Sequence, residues 1–282
     1  MDNLGNDLIK LLVTGAKGYL GKQLVDFLRL NYEHVFSISR LKESNHIQCD
    51  LINFEEVKNL IFSIKPDLII HCAATVPKSI DDYNKNIYSN DKKMLSNILI
   101  RSRCPLILIS SMTVYGKSYQ IPVHEEYAGT PKTTYGEMKW DCEKLLLSNN
   151  RSGFSLRIPG LFGLPRRSGL IYNILNGVKF HKAITLPNSP ILWAALSVRN
   201  AVESISKLVE SDIDTFKIIN LGYPGKHSIS LLVDKINILF GSKIKNTIIH
   251  PTFEFDLTRA ISHEILPLST LEQELTSFYN QI

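Results

Sequence analysis

A tyrosine, a lysine and a serine stand at spacings that can do chemistry in this chain. Tyr135-Gly136-Glu137-Met138-Lys139 sets a phenol and an ammonium one helical turn apart, on one face of a helix. A cation near a phenol stabilises the phenolate and lowers its pKa, which lets tyrosine give or take a proton near neutral pH. Ser110 and Ser111 close the apolar run 106–111. A hydroxyl at such a strand end can hydrogen-bond a carbonyl oxygen as charge develops on it. Spacing alone does not single out this pair, because Tyr88 and Lys92 repeat it. The difference is the strand before: 106–111 leads Ser111 to the edge where Tyr135 stands, whereas Tyr88 and Lys92 read as a solvated or interface turn of a long helix.

The elements that must position these groups start near the N-terminus. Leu11-Leu12-Val13-Thr14 is a short apolar run, and Gly15, Gly18 and Gly21 follow at three-residue steps before an amphipathic stretch with Leu20, Val25, Phe27, Leu28 and Leu30. The order is strand, tight turn, helix. The first glycine lets the chain reverse, the second lets backbone approach a pyrophosphate, and the third lets helix pack on strand. The pyrophosphate of a dinucleotide would rest on the N–H groups at the helix start, where the dipole favours anions. A glycine turn that binds nothing has the same spacing, so the turn gains weight only together with the serine and the tyrosine–lysine pair.

Strands are expected at 9–13, 34–40, 47–51, 68–74, 106–111 and 154–158, alternating with helices at 18–31, 55–64, 79–102 and 135–147. The near-continuous apolar runs at 68–74 and 106–111 suit parallel strands covered on both faces. Together they predict an α/β fold, a doubly wound parallel sheet of the Rossmann type, with ligand-facing loops at its carboxyl edge. After Pro159 the regularity loosens. Shorter elements are expected near 168–176, 191–196, 198–209, 216–221 and 228–240, with a closing helix near Leu271. The organisation expected is a dinucleotide-binding domain over 1–160 and a smaller α/β substrate lobe over 161–282, interleaved with the last sheet strands.

Composition narrows the class. No apolar run approaches the ~20 residues of a membrane span, and the polar start lacks a secretory pattern, so a cytoplasmic protein is expected. Cys49, Cys72, Cys104 and Cys142 have neither CxxC nor zinc-ligand spacing, which points to reduced thiols and no metal. Cys49 and Cys72 are expected inside strands. The net charge of +5 is dispersed, so no nucleic-acid partner is inferred.

The ordered set of motifs resembles the extended short-chain dehydrogenase/reductase family, the NAD(P)-dependent sugar-nucleotide epimerase, dehydratase and reductase group. Thr14-Gly15-x-x-Gly18-x-x-Gly21 is similar to its cofactor turn, Asp50-Leu51 to its adenine-edge pair, and His71-x-Ala73-Ala74 to its fourth-strand motif. Ser110-Ser111-x-x-Val114-Tyr115-Gly116 resembles the active-site strand, and Pro131 followed by Tyr135-x-x-x-Lys139 the active-site helix. Leu156-Arg157 with Phe162-Gly163, and Asn220-Leu221-Gly222 before Ser228, extend the likeness over roughly 9–240. The resemblance implies Ser111, Tyr135 and Lys139 as catalytic residues. It implies Gly15, Lys17, Gly18, Tyr19, Leu20, Gly21, Asp50, Leu51, Ala73, Ala74, Tyr135 and Lys139 around the cofactor, and a homodimer through the helices at 79–102 and 134–148.

Departures from the family pattern narrow the reaction. Met112 and Thr113 follow Ser111 where sugar dehydratases carry an Asp-Glu pair, so a 4,6-dehydratase is not expected. Thr113 also replaces the cysteine of members that epimerise at C3 and C5. Gly160 stands where members commonly have a substrate-contacting asparagine. Arg166 and Arg167 could instead clamp a diphosphate, or lie in a solvated loop; Ser111 and Thr113 complete the substrate candidates. Ser39-Arg40 at the end of the second strand suits a 2′-phosphate and favours NADP, with NAD as the alternative. The expected activity is NADPH-dependent reduction of a keto group on a nucleotide-activated deoxysugar. The alternatives are an NAD-retaining nucleotide-sugar 4-epimerase and a non-catalytic dinucleotide-binding regulator.

Overall fold

The apolar runs lie side by side as strands. In a computed structural model, which describes residues 9–42, 44–78, 80–85, 87–116, 121–127 and 131–282, the strands are β1 (Leu11–Thr14), β2 (Val35–Ser39), β3 (Ile47–Gln48), β4 (Leu68–His71), β5 (Leu106–Ser111), β6 (Gly153–Ile158), β7 (Gly160–Phe162), β8 (Ala195–Ser197) and β9 (Phe216–Asn220). Seven of them form one sheet in the order β3-β2-β1-β4-β5-β6-β9, and β7 pairs in parallel with β8 apart from it. β1 runs parallel to both β2 and β4, with Leu12 opposite Phe36 on one side and Ile69 on the other. The chain moves outward from β1 through β2 and β3, then returns across β1 to β4. That reversal opens a crevice at the carboxyl ends of β1 and β4, where ligands of such sheets bind.

The helices are α1 (Tyr19–Leu28), α2 (Phe54–Ile64), α3 (Ser89–Arg101), α4 (Thr134–Ser148), α5 (Leu170–Phe180), α6 (Val198–Val209), α7 (Ile229–Phe240), α8 (Thr258–Ser262) and α9 (Leu271–Gln281). Side chains start several of them. Asn53 accepts from the N–H groups of Glu55 and Glu56 ahead of α2, Thr133 from Gly136 ahead of α4, and Thr270 with Gln273 forms a capping box on α9. Leu12, Ile69, Leu106 and Leu108 of the sheet pack with Leu95 and Ile98 of α3 and Leu146 of α4, all buried. Each such side chain stabilises by roughly 1.5–3 kcal/mol. No helix among the described residues is long and apolar enough to cross a membrane.

The chain forms two compact units. One comprises Met1–Ser118, Ala128–Arg157 and Leu208–Ile219; the other comprises Tyr119–Tyr127, Ile158–Lys207 and Asn220–Ile282. The first holds the sheet with α1 to α4, and so takes β9 from far along the chain. The second carries the β7–β8 pair with α5, α7, α8 and α9.

Several expectations are corrected. The long helix over 79–102 is a 3-10 turn at Ile80–Asn84 followed by α3, because Tyr88 leaves helical geometry (φ −101°, ψ 6°) and its hydroxyl donates to Asp82 O at 2.7 Å. Tyr88 is accordingly buried and not in a solvated turn; only Lys92 is exposed. The third strand stops at Gln48, although Cys49 N still donates to Ser39 O at 2.9 Å. Cys49 and Cys72 lie just past β3 and β4. The strand near 191–196 is confined to β8, and its partner β7 was not anticipated because three residues are too few to show a period.

Candidate active site

The glycine turn is built for close approach. Gly15 takes φ +66°, and a Cβ there would lie 2.6 Å from Ala73 N, so the bend after β1 sits against the backbone leaving β4. A Cβ on Gly21 would strike Gly15 O, which is why α1 can press onto the turn. Gly18 begins α1 with no side-chain cap and no acidic residue in the first turn. The first N–H groups of a helix have no acceptor within it, so this end suits an anion. Thr14 ties the two strand ends together. Its Oγ1 accepts from Ala73 N at 3.2 Å and meets His71 Nδ1 at 2.8 Å. The same hydroxyl thus joins the two strand ends through the His71 ring, which burial keeps neutral. Burial, with Lys139 adding to it, lowers His71 to about 3.

On the other side of the crevice, β5 ends at Ser111 and α4 presents Tyr135, Lys139 and Glu143 along one face. All four are at least nine-tenths buried. Gly136 lets α4 sit on the turn after β5; a Cβ there would lie 2.5 Å from Thr113 O. The Ser111 Oγ accepts from Thr113 N at 3.2 Å and from Thr113 Oγ1 at 2.9 Å. The Ser111 hydroxyl lies near enough to the Tyr135 phenol to favour its ionised form. Tyr83 and Tyr88 hold the Tyr135 ring, edge-on at 5.6 Å and tilted at 5.3 Å. Lys139 Nζ donates to Ile109 O at 2.8 Å and lies 5.7 Å from the Tyr135 ring centre.

The electrostatics differ from the simple pairing. Burial raises the Tyr135 phenol above its ordinary value, Asp91 adds to this, and the nearby Ser111 hydroxyl opposes it. Burial also lowers Lys139, and the negative charges of Asp91 and Glu143 oppose this. The lowered phenol expected from the lysine is not found, because burial dominates, and Tyr135 rests protonated. That is the state a proton donor needs.

Behind this face lies a buried ion pair. Glu143 accepts from Arg157 Nη2 at 2.7 Å and Nε at 3.1 Å, and also from Ser110 and Ser155. Arg157 covers the Tyr115 ring at 4.7 Å. The pair ties α4 to β5 and β6.

The remaining candidates are placed as follows. Ser39 is buried and accepts from Leu41 N at 3.1 Å, while Arg40 is exposed just past β2. Asp50 accepts from Ile52 N, and Leu51 is buried with its carbonyl receiving Asn97 Nδ2. Ala73 and Ala74 are half-buried at the β4 end, Lys17 is exposed in the glycine turn, Tyr19 is half-buried and Leu20 is buried. Thr113 Oγ1 is engaged by Ser111. Arg166 and Arg167 belong to the second unit, where Arg166 Nε donates to Ser168 Oγ at 3.2 Å. Thus the fold brings together the glycine turn, Ala73, Ser111, Tyr135 and Lys139 within the first unit. Sequence reasoning missed Asp91, Gly136 and Glu143. Glu143 follows Lys139 by one turn on the same face, and a glycine early in a helix marks close packing, so both had a signal. Among the described residues no three His, Cys, Asp or Glu side chains gather to hold a metal ion.

A relative from Rattus norvegicus, methionine adenosyltransferase 2 subunit beta, is 32% identical over 159 residues, 55% of this chain and 47% of that protein. A probable dTDP-4,6-dihydroxy-2-methyloxan-3-one 4-ketoreductase from Streptomyces antibioticus is 26% identical over 167 residues, 57% of this chain and 54% of its own. The chain thus spans about half the length of these curated relatives. The crystal structure of UDP-glucose 4-epimerase from Thermotoga maritima with UDP-glucose shares the fold, with a TM-score of 0.81 at 18% identity over 96% of this chain and 98% of that one. The profile of the NAD dependent epimerase/dehydratase family matches residues 11–222, through the glycine turn, the serine strand and the tyrosine–lysine helix, and the chain belongs to that family.

Proposed function

We propose that this chain is an NADPH-dependent reductase of a keto group on a nucleotide-activated deoxysugar. The observation that carries the reading is the burial together of Ser111, held by Thr113, and a protonated Tyr135 whose ring centre lies 5.7 Å from Lys139 Nζ. The nicotinamide of a bound cofactor supplies the hydride. Ser111, fixed by Thr113, holds the carbonyl oxygen, and Tyr135 gives that oxygen its proton, so ketone, hydride and proton become an alcohol. Lys139 would hold the cofactor ribose. Arg40 would hold the 2′-phosphate that distinguishes NADP, and Arg166 and Arg167 are the residues proposed for the substrate diphosphate. A relative named as a 4-ketoreductase and a fold shared with a UDP-sugar enzyme support this chemistry. Exposed Ile100 on α3 and Leu147 on α4 support a homodimer formed through those helices.

A second reading, a dinucleotide-binding subunit of another enzyme, is favoured by the subunit name of the rat relative. The intact serine, tyrosine and lysine favour turnover instead. The test is NADPH oxidation with a panel of nucleoside-diphosphate keto-sugars. Net consumption is expected; sugar interconversion without it indicates an epimerase, and neither activity sinks the enzyme reading. Tyr135→Phe should lower kcat by about 10²–10⁴ while cofactor binding stays, and Arg40→Asp should turn preference from NADP toward NAD. A fully active Tyr135→Phe enzyme refutes the assignment.

A further inference from the structure

The most conspicuous unused group in the first unit is Asp91, in the first turn of α3. It is 2% exposed, and its Oδ1 accepts from Thr75 N at 2.6 Å, just past β4. Its Oδ2 is buried with no hydrogen-bond partner. A buried carboxylate oxygen without a donor is costly, and burial raises the Asp91 carboxyl above the usual range, while the Thr75 hydrogen bonds and the Lys139 charge favour its ionised form. α3 packs on α4, and Tyr88, immediately before α3, lies against the Tyr135 ring. The Asp91 charge acts on Tyr135, Lys139 and Cys142, which are successive residues of one α4 face.

We propose that Asp91 is a positioning residue of the active site, supplying the negative charge that the buried Lys139 ammonium faces across the α3–α4 packing. The other groups around the lysine do not serve. His71 is neutral, and burial pushes the Cys72 thiol up to about 12 and Cys142 to about 11, so both stay uncharged near neutral pH. Tyr88 is likewise pushed up by burial to about 12, with Tyr135, Asp82 and Tyr83 adding to it. Glu143 is engaged by Arg157. Asp91 and Glu143 together balance Lys139 and Arg157, so a charged Lys139 leaves the buried cluster neutral only when Asp91 is ionised. A charged Lys139 is the form that donates to ribose hydroxyls. The inference rests on the cofactor role proposed above for Lys139.

Asp91→Asn tests it, because the amide oxygen still accepts from Thr75 N while the charge is gone. NADPH affinity is measured by calorimetry from pH 6 to pH 10. Without Asp91 the ammonium is less favoured, so binding should fail at lower pH than in the wild type. A deficit of about tenfold is expected at alkaline pH, shrinking toward pH 6. Asp91→Glu should recover most of it. Curves that coincide with the wild type, or a deficit equal at every pH, overturn the proposal, the latter because it marks a purely structural role. Should Asp91→Asn not fold, Asp91→Glu must still bind at alkaline pH, and a loss there overturns it too. Because binding is read, a chain that grips NADPH yet reduces no sugar refutes the reductase reading and not this one.

Discussion

Replacing Glu143 by glutamine isolates the buried tie between α4 and the sheet. The carboxylate is 1% exposed and Arg157 is 2% exposed, so solvent screens neither. Burial presses the arginine toward neutrality, but the Glu143 hydrogen bonds and charge outweigh it and hold the guanidinium firmly charged. In Glu143→Gln the amide oxygen can still receive Ser110, Ser155 and Arg157 Nε. Its NH2 group then faces Arg157 Nη2, donor against donor, where a 2.7 Å charge-assisted bond had been. Losing that bond costs about 1.5–3 kcal/mol, and leaving a guanidinium buried without counter-charge brings the total to about 3–5 kcal/mol. Urea unfolding should show that loss, and melting should drop by at least about 6 °C. The double variant Glu143→Leu with Arg157→Met, which removes both charges and keeps the volume, should regain most of it. Turnover in Glu143→Gln should fall further than NADPH affinity, since Glu143 sets the register of Tyr135 against Ser111. A Glu143→Gln protein within about 1 kcal/mol of wild type would refute the reasoning.

Gly136→Ala puts a methyl 2.5 Å from Thr113 O, so the start of α4 must lift from the serine turn; kcat should fall at least about tenfold, and unchanged kinetics would show that the contact relaxes freely. His71 gives a pH signature. Burial lowers it to about 3 against 6.5 when unfolded, so the unfolded chain takes up a proton that the folded chain refuses. Its contribution is complete above about pH 6.5 and is lost as the pH falls toward 3. His71→Gln should flatten that acid limb in chemical unfolding, and limbs that run parallel would remove the argument.

The glycine turn was legible because its sterics are local. Gly15, Gly18 and Gly21 are set by the sterics of a bend that the next strand must touch, and spacing records that directly. The tyrosine–lysine spacing was legible too, yet Tyr88 and Lys92 share it, and only the sheet order separates the pairs: β5 lies between β4 and β6, so Ser111 reaches Tyr135 and not Tyr88. Ironically for its discarded role, Tyr88 packs on the very ring it resembles. The sequence by itself thus determined the alternation of strands and helices, the glycine bend, and which side chains could act. Tertiary structure alone decided the protonation of Tyr135, the burial of Ser111 beside it, and the charge balance among Asp91, Lys139, Glu143 and Arg157. Desolvation and long-range Coulomb contact depend on which residues are brought near, and residues 91, 139 and 157 are far apart along the chain. No pattern of neighbours in the sequence can record a distance that only packing creates.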